Sequence, residues 1–214
     1  MNTKILMRSD IKYMYKDLYI DEKLQVLPYS YFKDLEYNHV KQFCVENGIY
    51  CLPTIELLNF IKEEIGEEER VIEIGAGHGA IARELGIKAT DSKLQNRVDI
   101  KELYIKGKQP IVRYGDNIEM WDGEKAVCRF KPNIVIAAWV THKYNPKQHV
   151  KEGNIWGVNE SNVIEKARKY IFVGNTDVHL LKPIMDIPHR TIEPDWLVSR
   201  GIKPNTDRIW VWER

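Results

Sequence analysis

The stretch VIEIGAGHGAIARELG, residues 71–86, decides the fold. Val71–Ile74 is a short apolar run of strand type, Gly75, Gly77 and Gly79 make a tight turn, and Ala80–Leu85 has helical character. Glycines let the main chain turn sharply and let a ligand approach it, while the free N–H groups at the helix start favour a polar or anionic group. Asp91 follows twelve residues after Gly79, directly behind the apolar run Ile87–Thr90, and so belongs at the carboxyl end of the next strand. An acid in that place can accept both hydroxyls of a ribose.

Outward from this turn, strand-type runs alternate with helical stretches. The spacing predicts strands at Ile87–Thr90, Ile111–Tyr114, Ile134–Trp139 and Tyr170–Val173, with a helix over Ser161–Lys169. Alternation of this kind predicts an α/β fold with a doubly wound, mostly parallel sheet, and the unbroken apolar run NIVIAAWV predicts a central strand covered on both faces. The region with Pro183, Pro188 and Pro194 reads as irregular, and Arg208–Trp212 as a C-terminal antiparallel strand. Before the glycine turn the texture is helical. A helix is expected from Tyr31 to Asn47 with Gly48 as its stop, and a second one capped by Thr54 and ended by Gly66. The acidic run Glu67-Glu68-Glu69 marks the hinge, so residues 1–66 form an N-terminal helical cap and residues 67–214 a Rossmann-like core.

The 214 residues, 43% hydrophobic and 29% charged, have the composition of a globular chain of about one domain. With 32 Lys and Arg against 31 Asp and Glu, no chain-wide field draws in a polyanion. Nucleic acid would need a local patch, and His142–Lys151, with Lys143, Tyr144, Lys147 and His149, is the one candidate. No apolar run reaches the length of a membrane span, and the N-terminal MNTKILMRSDIKYMYKD never develops a secretory signal, so the reading is cytoplasmic with no membrane partner. The three cysteines form no C-x-x-C pair and the histidines no ligand spacing, so neither a disulfide framework nor a metal is expected. The six tryptophans are scattered in a way that fits packing.

Gly75 to Ala80 also satisfies the G-x-G-x-x-A form of a dinucleotide site. Three features favour a single nucleoside instead: the carboxylate Glu73 inside the strand, the helical segment ahead of it, and the 123 residues after Asp91, which complete one sheet only. With Glu73, Gly75, Gly77 and Gly79 as E-x-G-x-G-x-G, the chain resembles the class I S-adenosylmethionine-dependent methyltransferases over about residues 50–175. The resemblance implies S-adenosyl-L-methionine as cofactor. Gly75, Ala76, Gly77 and Gly79 would run under its methionine and ribose, Asp91 would hold the ribose hydroxyls, and Asp116 with Asn117 would meet the adenine. Thr54 would open the segment that closes over the cofactor, and Ala138 and Trp139 would border the methyl group.

His142 is the candidate general base beyond that strand. Family members that methylate exocyclic base amines carry an acid or Asn and two prolines here, and this chain has Ala137-Ala138-Trp139-Val140 instead. The sequence assigns neither the methyl acceptor nor an oligomeric state. Two other readings stay open: an NAD(P)-dependent oxidoreductase, using the turn as a pyrophosphate cradle, and a non-catalytic nucleoside-binding module.

Overall fold

The computed structural model describes residues 11–68 and 70–214; Met1–Asp10, read above for a signal run, and Glu69 of the hinge lie outside the described residues. The chain begins with Lys12–Leu18 (α1), a ribbon of Tyr19–Ile20 (β1) against Lys23–Leu24 (β2), then Tyr29–Lys33 (α2) and Tyr37–Glu46 (α3). Met14, Leu18, Phe32, Val40 and Phe43 turn inward from these elements into one apolar cluster. Helix formation over Tyr31–Asn47 is interrupted, because Asp34 closes α2 and Leu35 packs into the same cluster, leaving Glu36 extended at φ −62°, ψ 122°. Asp competes with the backbone for hydrogen bonds, so the break falls where the interior former is weakest.

Cys51–Leu52 (β3) leads into Ile55–Ile65 (α4), whose first turn is capped by Thr54: its hydroxyl accepts the Leu57 amide at 3.1 Å. Val71–Ile74 (β4), Ala80–Leu85 (α5) and Lys88–Asp91 (β5) follow as the glycine motif predicts, and Asp91 ends its strand. Val98–Lys106 (α6) comes next. Ile111–Tyr114 then runs without a ladder partner, and the third parallel strand is Ile118–Met120 (β6), where Ile118 pairs with Ala89. The apolar run at 111–114 had the look of a strand, but the pairing went to the single buried Ile118.

Gly123–Phe130 (α7), Ile134–Ala138 (β7), Glu160–Lys166 (α8), Lys169–Asn175 (β8) and Thr176–His179 (α9) complete the parallel part. Arg190–Ile192 (β9), Val198–Ser199 (β10) and Asp207–Glu213 (β11) close the chain, with β10 pairing β3. The seven-stranded sheet has the order β6-β5-β4-β7-β8-β11-β9, parallel up to β8 and antiparallel at β11, a form compatible with a Rossmann-like fold.

Alternation along β7 shows why it is apolar throughout. Val135 and Ala137 face α7 and α8 with Ile72 and Ile74, whereas Ile134 and Ile136 face α4 with Val71. On the antiparallel edge, Trp210 lies opposite Phe172 and Trp212 opposite Tyr170, with ring centroids 5.7 and 5.6 Å apart. Those two tryptophans are packing residues, as their scatter suggested.

The Thr54 cap predicts a small, specific loss: Thr54→Ala costs about 1 kcal/mol and lowers Tm by roughly 2–4 °C, while Thr54→Ser keeps most of both. Thermal melts of the three proteins check it.

Candidate functional site

Chain order reverses between β4 and β7: β5 and β6 lie on one side of β4, and β7 and β8 on the other. At such a switch point the connections leave a crevice beyond the carboxyl ends of the strands. A cleft of about 250 Å³ lies there, walled by Gly75, Ala76 and Gly77 after β4, Asp91 at the end of β5, and Ala138 and Trp139 at the end of β7.

Gly75 and Gly77 have φ of +61° and +54°, and a Cβ on Gly75 would collide with Val140 Cγ1. The turn and the segment beyond β7 are therefore in contact only because Gly75 has no side chain. Asp91 braces the turn, since its Oδ2 accepts the Gly77 amide at 3.1 Å and its Oδ1 the Lys93 amide at 2.7 Å. Each oxygen keeps a lone pair for a further donor. Burial raises the Asp91 carboxyl above the ordinary carboxylate range, against the pull of those two amides.

Glu73 shares its face with Val71, toward the start of α5, and is 2% exposed. Its Oε2 accepts the Ala82 amide at 3.0 Å, so a carboxyl already occupies one of the free donors at the helix start. Burial pushes this carboxyl up to about 8; the Ala82 amide opposes the shift and the Asp91 charge adds to it. His78, within the turn, also lines the cleft, and its Nε2 lies 3.2 Å from the Asn47 carbonyl. Burial pushes the imidazole down to about 4, so it stays neutral.

Beyond β7, Trp139 has φ +57°, a conformation in which a bulky side chain is strained. Three contacts hold it. Its amide donates to the Val173 carbonyl at 2.9 Å, its ring meets the His179 ring edge-on at 5.0 Å, and the next carbonyl, that of Val140, accepts from Lys182 Nζ at 2.7 Å. Lys182 is 1% exposed and pairs with the equally buried Glu160, whose other oxygen accepts the Tyr170 hydroxyl at 2.7 Å. Burial lowers the Lys182 ammonium, and the Glu160 charge opposes that.

Several expected site residues lie elsewhere. Thr54 is fully buried, with its hydroxyl committed to the α4 cap. Gly79 starts α5, and Asn117 donates to its carbonyl at 3.0 Å, a structural role outside the cleft wall. Asp116 precedes β6 instead of following the third strand; its side chain is 77% exposed and faces Lys23 at 3.7 Å. The acid that does follow that strand, Asp122, caps α7. His142 is turned out of the cleft, its Nε2 2.7 Å from the Lys151 carbonyl and its ring against Gly153. In the basic stretch around it, Lys143 faces Glu124 at 3.7 Å and Lys151 faces Asp186 at 3.0 Å, so part of its charge is already compensated.

Other lining residues had no signal in the motif. Tyr50 comes from the chain just before β3, Tyr104 from α6 and Tyr114 from the stretch expected as a strand, and the last two are joined through Gln95: its side-chain amide reaches the Tyr104 hydroxyl at 3.3 Å and its main-chain amide the Tyr114 hydroxyl at 3.3 Å. Thr141, Asn154 and Trp156 complete the β7 side. Two carboxyls, Glu73 and Asp91, line the cleft, and among the described residues no Lys or Arg does. Arg200, outside the lining itself, has its guanidinium carbon over the Tyr50 ring, 3.6 Å from the centroid. No group of three or more His, Cys, Asp or Glu able to hold a metal occurs among the described residues, and no helix there is long and apolar enough to cross a membrane.

No family model matches the chain, and no curated protein matches it. A solved structure described as the structure of the Pnkp1/Rnl/Hen1 RNA repair complex aligns with it at 13% identity and a TM-score of 0.36, covering 96% of this chain and 47% of that one. The chain thus spans about half the length of that match. A likeness of this depth decides neither fold nor chemistry, which rest on the sheet and the cleft themselves.

The folded protein holds the Glu73 proton more tightly than an unfolded chain with the ordinary value of 4.5, so the stability this adds is complete below about 4.5 and is lost as pH rises through about 8. Glu73→Gln keeps an acceptor for Ala82 and removes that slope, on the order of 3–5 kcal/mol over the window, in denaturant unfolding at several pH values. Lys182→Met strands the Glu160 charge and costs about 3–5 kcal/mol, whereas Lys182→Met with Glu160→Gln recovers most of the loss in the same assay.

Proposed function

We propose that the protein is a methyltransferase that uses S-adenosyl-L-methionine bound in the cleft between β4, β5 and β7. The observation that carries this reading is the charge of the lining: two carboxyls and no cationic side chain among the described residues. A pyrophosphate in that space would meet no cationic side chain and would find the Ala82 amide already taken by Glu73 and the Gly77 amide by Asp91. A sulfonium compound carries positive charge on its sulfur and its amino group, and the same carboxyls attract it. The aromatic rings of Tyr104, Tyr114 and Trp139 add surfaces that favour a cation.

The residues fit that group in other respects. The glycine turn lines the cleft with main-chain atoms of Gly75, Ala76 and Gly77. Asp91 keeps acceptor capacity on both oxygens for the two hydroxyls of a ribose, in the place where the turn itself holds its carboxylate fixed. When bound, the cofactor supplies a methyl group already activated by the sulfonium. The protein's share is alignment: Trp139, pinned in its left-handed conformation, walls the side beyond β7 and excludes water from it. The dinucleotide alternative lacks the cationic or amide-rich cradle that a pyrophosphate needs. We place the protein in the cytoplasm and assign it no membrane partner.

Calorimetric titration with S-adenosylhomocysteine tests the reading, with saturable heat expected and a roughly 10- to 100-fold weaker Kd for Asp91→Ala, which loses charge-assisted hydrogen bonds. NAD should give no heat. Heat with NAD and none with S-adenosylhomocysteine overturns it. A cation next to Glu73 favours its ionised form, so binding releases a proton: affinity for S-adenosylmethionine rises between pH 6 and 8, and rises less for the uncharged thioether or in Glu73→Gln.

A further inference from the structure

On the reading that the cleft holds a sulfonium methyl donor, we infer that the acceptor is a flat heteroaromatic ring, stacked at the mouth beyond β7 and methylated on a ring nitrogen whose lone pair is free at neutral pH. That side of the cleft is lined by Trp139, Thr141, Asn154 and Trp156, two indoles together with a hydroxyl and an amide. Nothing in that set titrates. A hydroxyl or an ammonium acceptor would need its proton removed before attack, and the histidines nearby do not serve. His142 faces away with its Nε2 held by the Lys151 carbonyl. His179, behind Trp139, is 4% exposed, its Nδ1 accepts the Asn175 amide at 2.9 Å, and burial with the Lys182 charge pushes its imidazole down to about 3.

The wall itself is built for a flat partner. Trp139 stands in a strained backbone conformation, and its indole N–H is buried with no hydrogen-bond partner among the described residues. Strain and an unmatched donor at one residue mark a place where a side chain is held for a ligand. Trp156, 44% exposed in the loop between Gly153 and Gly157, supplies a second indole. Asn154 spends its Oδ1 on the Trp156 amide at 3.0 Å, which leaves its NH₂ for a ring edge.

The transfer balances without a base. The lone pair of the ring nitrogen forms the bond to the methyl carbon as the carbon–sulfur bond breaks and leaves its electron pair on sulfur. Positive charge passes from sulfur to the ring, still within the field of Glu73 and Asp91. A ring that carries an N–H then gives that proton to water.

Two measurements on the full chain test this. With S-adenosylhomocysteine bound, quinoline, benzimidazole or adenosine should quench indole emission saturably, and Trp156→Leu, at an exposed position that folding tolerates, should weaken that binding roughly tenfold. With saturating labelled methyl donor, at least one of these rings should take up label on nitrogen, at a rate that follows the unprotonated fraction of the ring and then stays flat. 2-Naphthol and benzylamine should take up none. Label on adenosine assigns a base carried in a nucleotide, and label on quinoline or benzimidazole alone assigns a free small molecule. Absence of heat with S-adenosylhomocysteine removes the donor reading and this inference together. Heat with that ligand, but label on the naphthol or the amine, or no label or quench with any ring, overturns the inference alone.

Discussion

Val140 lies against Gly75, and only hydrogen fits on the glycine side of that contact. It joins the two connections that diverge where the sheet changes direction, the one leaving β4 and the one leaving β7. Everything that shapes the cleft hangs from this junction. Val140 is set by its carbonyl, which Lys182 holds from the buried core, and Trp139 is set by Val140 on one side and by the Val173 carbonyl on the other. The glycine turn is set in turn by Asp91 through the Gly77 amide. A left-handed tryptophan, a buried ion pair and a buried carboxyl are each unfavourable alone. They persist because the surrounding sheet, covered by helices on both faces, has no alternative packing that would relieve one without disturbing the next.

The charge of the cleft follows from the same geometry. Glu73 occupies the one inward position of β4 that faces the start of α5, where a main-chain amide is available to it. A leucine there would pack, but would leave the Ala82 amide without its acceptor. The carboxyl keeps that donor satisfied, and its high proton affinity lets it remain neutral until a positive charge comes near. Asp91 does the complementary work at the next strand, fixed by two amides and partly open. Two carboxyls within one cleft, each raised by burial, form a site that ionises readily when a cation enters and offers phosphate no positive partner.

Residues close in sequence were legible before the structure, and residues brought together by folding were not. β4, the turn, α5 and Asp91 were read within a few residues because strand, glycines, helix and acid follow one another along the chain, and the α4 cap was read from Thr54 in the same way. β7 was legible because a strand covered on both faces must be apolar throughout. The stretch 111–114 misled because apolar alternation reports burial and not ladder pairing; it lies beside the cleft, where the Gln95 side chain accepts the Val112 amide at 2.9 Å. Misplacing that strand carried Asp116 to the wrong side of it. His142 had the right chemistry and the right distance along the chain, but its direction depends on Gly153 and the Lys151 carbonyl, which no local pattern encodes. Tyr50, Tyr104 and Trp156 converge from three segments, and only the tertiary fold makes them one wall.

That convergence gives the N-terminal region a part in the site. Tyr50, Cys51 and Pro53 all line the cleft, and the segment that bears them is tied to the C-terminal half by the pairing of Leu52 with Val198 and to the glycine turn by His78 and the Asn47 carbonyl. Its contribution is mostly apolar and aromatic, whereas the core contributes the carboxyls. Burial raises the proton affinity of both carboxyls, and in low dielectric their ionised forms attract an entering cation more strongly. The cleft therefore combines carboxyls from the core with an apolar wall from outside the glycine motif.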